Sequence, residues 1–199
     1  VPSYRAEDVT REIDLIEEIS RIDGYDKVPA TLPHKKHNPK LSKEIVYTNT
    51  IKNILVGSGL QEIVTSSLVG YPLINWCGID IEEDKAIRVT NPQSEDYTML
   101  RQNMISSLLQ IVKHNIDNGN KELWIFDIGR TYFIEKEATK TDSGVSENLK
   151  LAGAITGNDQ KGIWISDPKV DFYTLKGLLE KLFETLGLTK RIEFIPCKD

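Results

Sequence analysis

Apolar residues recur at close to helical spacing near the start of the chain, at Ile13, Leu15, Ile16, Ile19 and Ile22. That spacing predicts a helix, with Asp8 or Thr10 as its cap and Gly24 as its stop. The stretch from Lys27 to Lys40 has no periodicity and holds Pro29, Pro33 and Pro39. It reads as an extended linker and a domain boundary. Ser42 then caps a second helix, lined by Tyr47, Thr48, Ile51, Ile54 and Leu55 and ended by Gly57-Ser58-Gly59. Gln61 to Val69 and Ile87 to Thr90 are β-prone and predict strands. A third helix is expected from about Asn103 to Asn118, followed by a turn at Asn118-Gly119-Asn120. Trp124, Phe126, Ile128, Tyr132 and Phe133 then follow a strand's period over Leu123 to Ile134, with Gly129-Arg130 as an expected bulge. A polar hairpin loop (Glu135 to Asn148), a strand (Leu149 to Thr156) and a helix begun at Asp171 and capped by Gly187 come next. Ile192 to Ile195 reads as a last strand, and Val1 to Arg5 as the end of one. Helices and strands intersperse without βαβ units, so the expected class is α+β with a mostly antiparallel sheet.

Composition narrows the chemistry. The 199 residues carry 39% hydrophobic and 28% charged side chains, a balance that buries a core and argues against disorder. The net charge of -5 gives no general attraction for phosphate. Cys77 and Cys197 form no CxxC pair or framework, which suits a reducing cytoplasm. No run approaches the roughly 20 apolar residues of a membrane span, and no signal-peptide pattern opens the sequence. The chain does not begin with methionine, and we read it as a piece that starts inside a domain.

The usual catalytic signatures are missing. There is no GxGxxG, no GxxxxGK[ST] and no GxSxG. His34 and His37 lie in the proline-bracketed linker without a further donor for zinc. His114 has no acid or nucleophile paired with it, and Cys77 reads as core filler. The basic run His34-Lys35-Lys36-His37, with Lys40 and Lys43, could touch a nucleic-acid backbone. It has no interleaved aromatics for stacking, and a solvated linker is the default reading.

On a helix at about 100° per residue, Asp14, Glu17 and Glu18 share one face, opposite Ile13, Leu15, Ile16 and Ile19. Crowded carboxylates suit a hard cation such as magnesium. They equally suit a solvated face, with Glu17 pairing to Arg21 and Asp8 acting as a helix cap.

Three stretches carry a resemblance. The first runs from Arg5-Ala6-Glu7-Asp8-Val9 through Glu12-Ile13-Asp14-Leu15-Ile16-Glu17-Glu18-Ile19 to Gly24-Tyr25-Asp26 and Val28-Pro29. The second is Asn91-Pro92 with Leu100-Arg101-Gln102-Asn103-Met104, Leu108-Leu109 and Asn115. The third is Phe126-Asp127-Ile128-Gly129-Arg130, where glutamate is commoner than Asp127. Together they resemble the β subunit of bacterial phenylalanyl-tRNA synthetases. That resemblance implies a tail of the helix-winged domain (residues 1–30), a linker (31–41) and most of a non-catalytic module (42–199), truncated at its end. The module would have the antiparallel sheet of class II aminoacyl-tRNA synthetases, flanked by helices. The resemblance further implies a heterotetramer of two α and two β subunits in the cytoplasm. In it, a catalytic α subunit is the partner, and ATP and tRNA(Phe) are engaged only by the whole assembly. It matches Asp8, Asp14, Glu17 and Glu18 to a magnesium site shared with the α subunit.

Class II catalysis uses an arginine in a strand motif and another in a Gly-rich helix motif. Neither motif is present. Arg101 sits where the related catalytic subunit also has an arginine, but it reads as a structural arginine here. The expected role is therefore a scaffold with no catalytic or cofactor-binding residues of its own. The alternatives are an independent enzyme binding ATP or an amino acid, and a metal-dependent regulatory domain built on the acidic helix.

Overall fold

The structure, a computed structural model, describes residues 1–33, 40–135, 143–158 and 169–196. The chain divides into two compact units, Val1–Lys40 and Leu41–Asp199.

In the first unit a 3-10 turn at Ser3–Arg5 precedes α1 (Glu12–Asp23), and a second turn follows at Tyr25–Lys27. The opening residues are thus a turn and not the end of a strand. Neither Asp8 nor Thr10 caps α1. Arg11 takes the N-cap position, and the Asp14 carboxylate reaches back to accept from the backbone N–H groups of Thr10 (3.0 Å) and Arg11 (2.8 Å). That arrangement satisfies donors which a helix start otherwise leaves open. Gly24 ends the helix at φ +107°, a conformation L side chains rarely adopt. No α1 residue is buried, and Ile13, Leu15, Ile16, Ile19 and Ile22 are all exposed.

The second unit is built on a three-stranded sheet of order β1-β4-β5, comprising β1 (Gln61–Glu62), β4 (Leu123–Ile134) and β5 (Val145–Thr156). β4 and β5 form a continuous antiparallel ladder from Leu123↔Thr156 to Ile134↔Val145, while β1 lies parallel to β4. A small antiparallel ribbon pairs β2 (Leu68–Val69) with β3 (Met99–Leu100). The helices are α2 (Lys43–Gly57), α3 (Tyr71–Cys77), α4 (Ile105–Asp117) and α5 (Phe172–Thr185).

Alternation along β4 sends Trp124 and Phe126 to one face, where they pack with Leu55 of α2, Leu60 and Leu178 of α5. Leu123 and Ile125 point to the other face and meet Leu108 of α4. Val69, Ile74, Ala86 and Met99 form a third cluster around α3 and the ribbon. Ser42 caps α2 by accepting from the Ile45 N–H, and Asp171 caps α5 by accepting from the Thr174 N–H at 2.8 Å.

Further expectations change in the second unit. The Gln61–Val69 run is two dipeptide strands in different sheets, because the chain turns between them. Ile87–Thr90 contributes only a bridge, Arg88↔Met99. Ile192–Ile195 forms no strand. There is no bulge at Gly129-Arg130: the register runs through Gly129↔Lys150 and Arg130↔Leu149 without a break. The basic run at 34–37, Cys197 and residues 136–142 of the expected polar loop lie outside the described residues, while Val145–Asn148, expected in that loop, pair with β4 as the start of β5.

Candidate functional site

Arg101 follows β3 directly, and its backbone joins the ribbon to the main sheet. Its N–H donates to the Ser67 carbonyl (2.9 Å), and its carbonyl accepts from the Tyr132 N–H (3.0 Å). The side chain is 2% exposed. Its Nε donates to the Arg130 carbonyl at 2.9 Å, and Nη1 donates to Thr65 Oγ1 and to the Ser66 carbonyl. Thr65 Oγ1 in turn donates to Asp127 Oδ2, whose carboxylate is 3.7 Å from Nη1. Asp127 also accepts from the Thr65 N–H at 3.3 Å and is 4% exposed. Cation and anion are thus buried together and hydrogen-bonded, the condition under which buried charge is tolerated. Among the described residues no buried side-chain nitrogen or oxygen lacks a partner.

A cavity of about 280 Å³ opens beside Thr65 and Ser66, with Leu73, Asp96, Ser107 and Gln110 among its lining residues. No lysine or arginine lines it. Thr65, Ser107 and Asp96 were not singled out from the sequence, and Asp127 entered only through the resemblance, without a partner. The alternation along β4 was the available signal: it places Asp127 on the same face as the buried Ile125.

The acidic helix has its own internal cations. Arg5 donates to Asp8 (2.8 Å) and to Glu18 (2.8 Å), Arg11 to Asp14 (3.0 Å), and Arg21 to Glu18. Hydrogen bonds from Arg5 and then Arg21 hold the Glu18 carboxyl below the ordinary glutamate range. The Arg11 side chain and backbone do the same for Asp14. Arg21 therefore pairs with Glu18, three residues away, and not with Glu17. Glu17 makes no hydrogen bond or ion pair among the described residues. No group of three or more His, Cys, Asp or Glu side chains among the described residues is placed to hold a metal ion. Of Asp8, Asp14, Glu17 and Glu18, guanidinium groups pair with the first, second and fourth.

His114 is exposed on α4 with no catalytic partner. Cys77 is half-buried, and burial pushes its thiol pKa up, away from a reactive thiolate. No helix among the described residues is long and apolar enough to cross a membrane.

Residues 28–199 match the family model for the phenylalanyl tRNA synthetase beta chain CLM domain. The chain is 36% identical to the phenylalanine–tRNA ligase beta subunit of Syntrophus aciditrophicus (strain SB), over 94% of this chain and 23% of that protein. It is 34% identical to the beta subunit of Carboxydothermus hydrogenoformans, over 100% of this chain and 24% of that protein. The chain thus spans about a quarter of the length of these relatives. Among solved structures, Desulfitobacterium hafniense PylSc, a pyrrolysyl tRNA synthetase, superposes with a TM-score of 0.53 at 14% identity. The match covers 88% of this chain and 53% of that one. At that identity the likeness concerns fold, and the fold is that of the class II synthetases: an antiparallel hairpin sheet flanked by helices. The chain belongs to the phenylalanyl-tRNA synthetase β-chain family.

Proposed function

We propose that this chain is a scaffold which packs on the catalytic α subunit of a cytoplasmic phenylalanine–tRNA ligase. ATP, phenylalanine and tRNA(Phe) are then handled by the assembly. The observation that carries the reading is Arg101, a buried arginine of the sheet module, whose Nε and Nη1 donate to Arg130, Thr65 and Ser66 and whose charge faces Asp127. An adenylate-forming site needs free cationic groups aimed at the transferring phosphate, and no lysine or arginine lines the cavity beside Thr65 and Ser66.

The surface of α2 supports the packing role. Leu55 is its buried residue, yet Ile45, Val46, Tyr47 and Val56 are 46–59% exposed. At about 100° per residue Val46 lies opposite Leu55. Apolar residues thus reach the exposed side of α2, interleaved with Asn49, Thr50 and Asn53, a mixed surface that a protein partner can cover.

The magnesium expected at Asp8, Asp14, Glu17 and Glu18 fits this reading only as a site completed by the partner, with Arg5 and Arg21 turned away from Glu18. Co-purification of the full-length protein with its cognate α subunit, with magnesium and then with EDTA, tests both points. The scaffold reading expects a complex that is lost in Val46→Glu with Tyr47→Glu. A complex indifferent to those charges removes this face from the interface, and a complex indifferent to EDTA removes the metal. ATP–pyrophosphate exchange by the β subunit without α would overturn the scaffold in favour of an independent enzyme.

A further inference from the structure

The cavity walled by the Thr65–Val69 segment, the turn at Glu95–Tyr97 and α4 has no part in the scaffold role. Its volume of about 280 Å³ would hold roughly nine waters at about 30 Å³ each, or a small organic molecule. Ser107 of α4 lines it and is only 5% exposed. Four other hydroxyls on or at the ends of helices donate to the carbonyl four residues back: Ser20 to Ile16, Thr50 to Val46, Ser58 to Ile54 and Thr185 to Lys181. The Ser107 hydroxyl makes no hydrogen bond among the described residues. Its oxygen is not sealed off either, so it opens onto the cavity. The hydroxyl is therefore available to a molecule that enters the cavity.

The rest of the lining defines the chemistry. Asp96 is the lining residue with a formal charge, and it forms no ion pair among the described residues. The Gln110 amide is also unpaired, while Leu68, Leu73 and Ile111 supply an apolar wall. Behind Thr65, Arg101 and Asp127 neutralise each other. The cavity therefore offers one anion, neutral donors and acceptors, and hydrocarbon. This combination repels phosphates and carboxylates and suits a cation with an apolar body.

We propose that this cavity binds a small primary amine with a short apolar body. The ammonium sits on Asp96, the carbon skeleton lies against Leu73 and Ile111, and Ser107 and Gln110 meet any further polar group.

The test is ligand-observed NMR on the full-length protein in its assembly, with saturating phenylalanine present so that an amino-acid site elsewhere stays filled. The probe is 3-methylbutylamine, and the comparator is 3-methylbutanoate, with the same skeleton and the opposite charge. The expected result is saturable binding of the amine and none of the acid. Asp96→Asn, an exposed change that leaves the core untouched, weakens the amine about tenfold through loss of a charge-assisted contact. Ser107→Ala retains binding of this probe, but loses the preference for 3-methylbutylamine analogues that carry a hydroxyl. Absence of saturable amine binding, equal binding of amine and acid, or an amine affinity unchanged in Asp96→Asn would each overturn the proposal. The scaffold reading would stand in every one of those cases.

Discussion

The guanidinium of Arg101 lies against the backbone of Gly129, so closely that a Cβ added there would sit 1.9 Å from Nη2 and 3.1 Å from Met104 Cε. Gly129→Ala must therefore displace a buried side chain held by hydrogen bonds from Nε and Nη1. Overpacking of this kind costs about 1–3 kcal/mol, and loss of the Arg101 contacts brings the expected total to the upper end of that range. Urea denaturation of the variant checks it. An unchanged midpoint would mean that Arg101 can move aside freely.

Arg101 and Asp127 are expected to be strongly coupled. Removing either alone, as Arg101→Met or Asp127→Leu, leaves a buried charge uncompensated and costs about 3–5 kcal/mol. The double variant removes both charges and should recover a large part of that loss. A double-mutant cycle by chemical denaturation reads the coupling, and strict additivity would contradict the network described here.

The arginines of the first unit should mask its carboxylates. Mn²⁺ added to the wild-type chain is expected to broaden the NMR signals of α1 only weakly. Broadening should grow in Arg5→Gln with Arg21→Gln, which frees Asp8 and Glu18 beside Glu17. Equal broadening in both proteins would show that guanidinium and metal do not compete.

The cap of α5 should depend on pH. The Thr174 backbone N–H holds the Asp171 carboxyl below its ordinary value, assisted by the Thr174 hydroxyl and the Tyr173 N–H. A carboxyl with a folded-state pKa below its unfolded one, ordinarily about 3.9 for aspartate, stabilises fully above the unfolded value. That contribution is lost as pH falls through the folded value. Amide exchange in the first turn of α5 should therefore accelerate below about pH 4. Asp171→Asn should flatten this dependence while keeping a cap. The same profile in both proteins would rule out Asp171 as the cause.

Local signals in the sequence were reliable where local physics decided the outcome. Ser42 and Asp171 cap the helices they precede, and even spacing marks β4 from Leu123 to Ile134. The errors came from partners distant in sequence. Thr65 and Ser66 leave the strand pattern because Arg101 and Asp127 claim their polar groups, 36 and 62 residues away. Gly129 was read as a bulge because its reason, the Arg101 side chain, is not its neighbour in sequence. α3 went unrecognised because Tyr71–Cys77 is too short to show a period. On α1 the carboxylate face was legible, but the arginines that neutralise it were not. Arg5 reaches Glu18 across thirteen residues, and no periodicity predicts that contact.

The ladder between β4 and β5 has a consequence for the order of assembly. Its twelve paired positions, from Leu123↔Thr156 to Ile134↔Val145, form between segments adjacent along the chain, whereas β1 reaches β4 across some sixty residues. Closing the short loop first costs less chain entropy, and hairpins of this kind form in about 1–10 μs. The hairpin is thus the natural nucleus, and the buried Arg101 pair can be sealed only when the ribbon docks on it. Substitutions along the ladder should slow folding, while Arg101 and Thr65 should act mainly on the rate of unfolding.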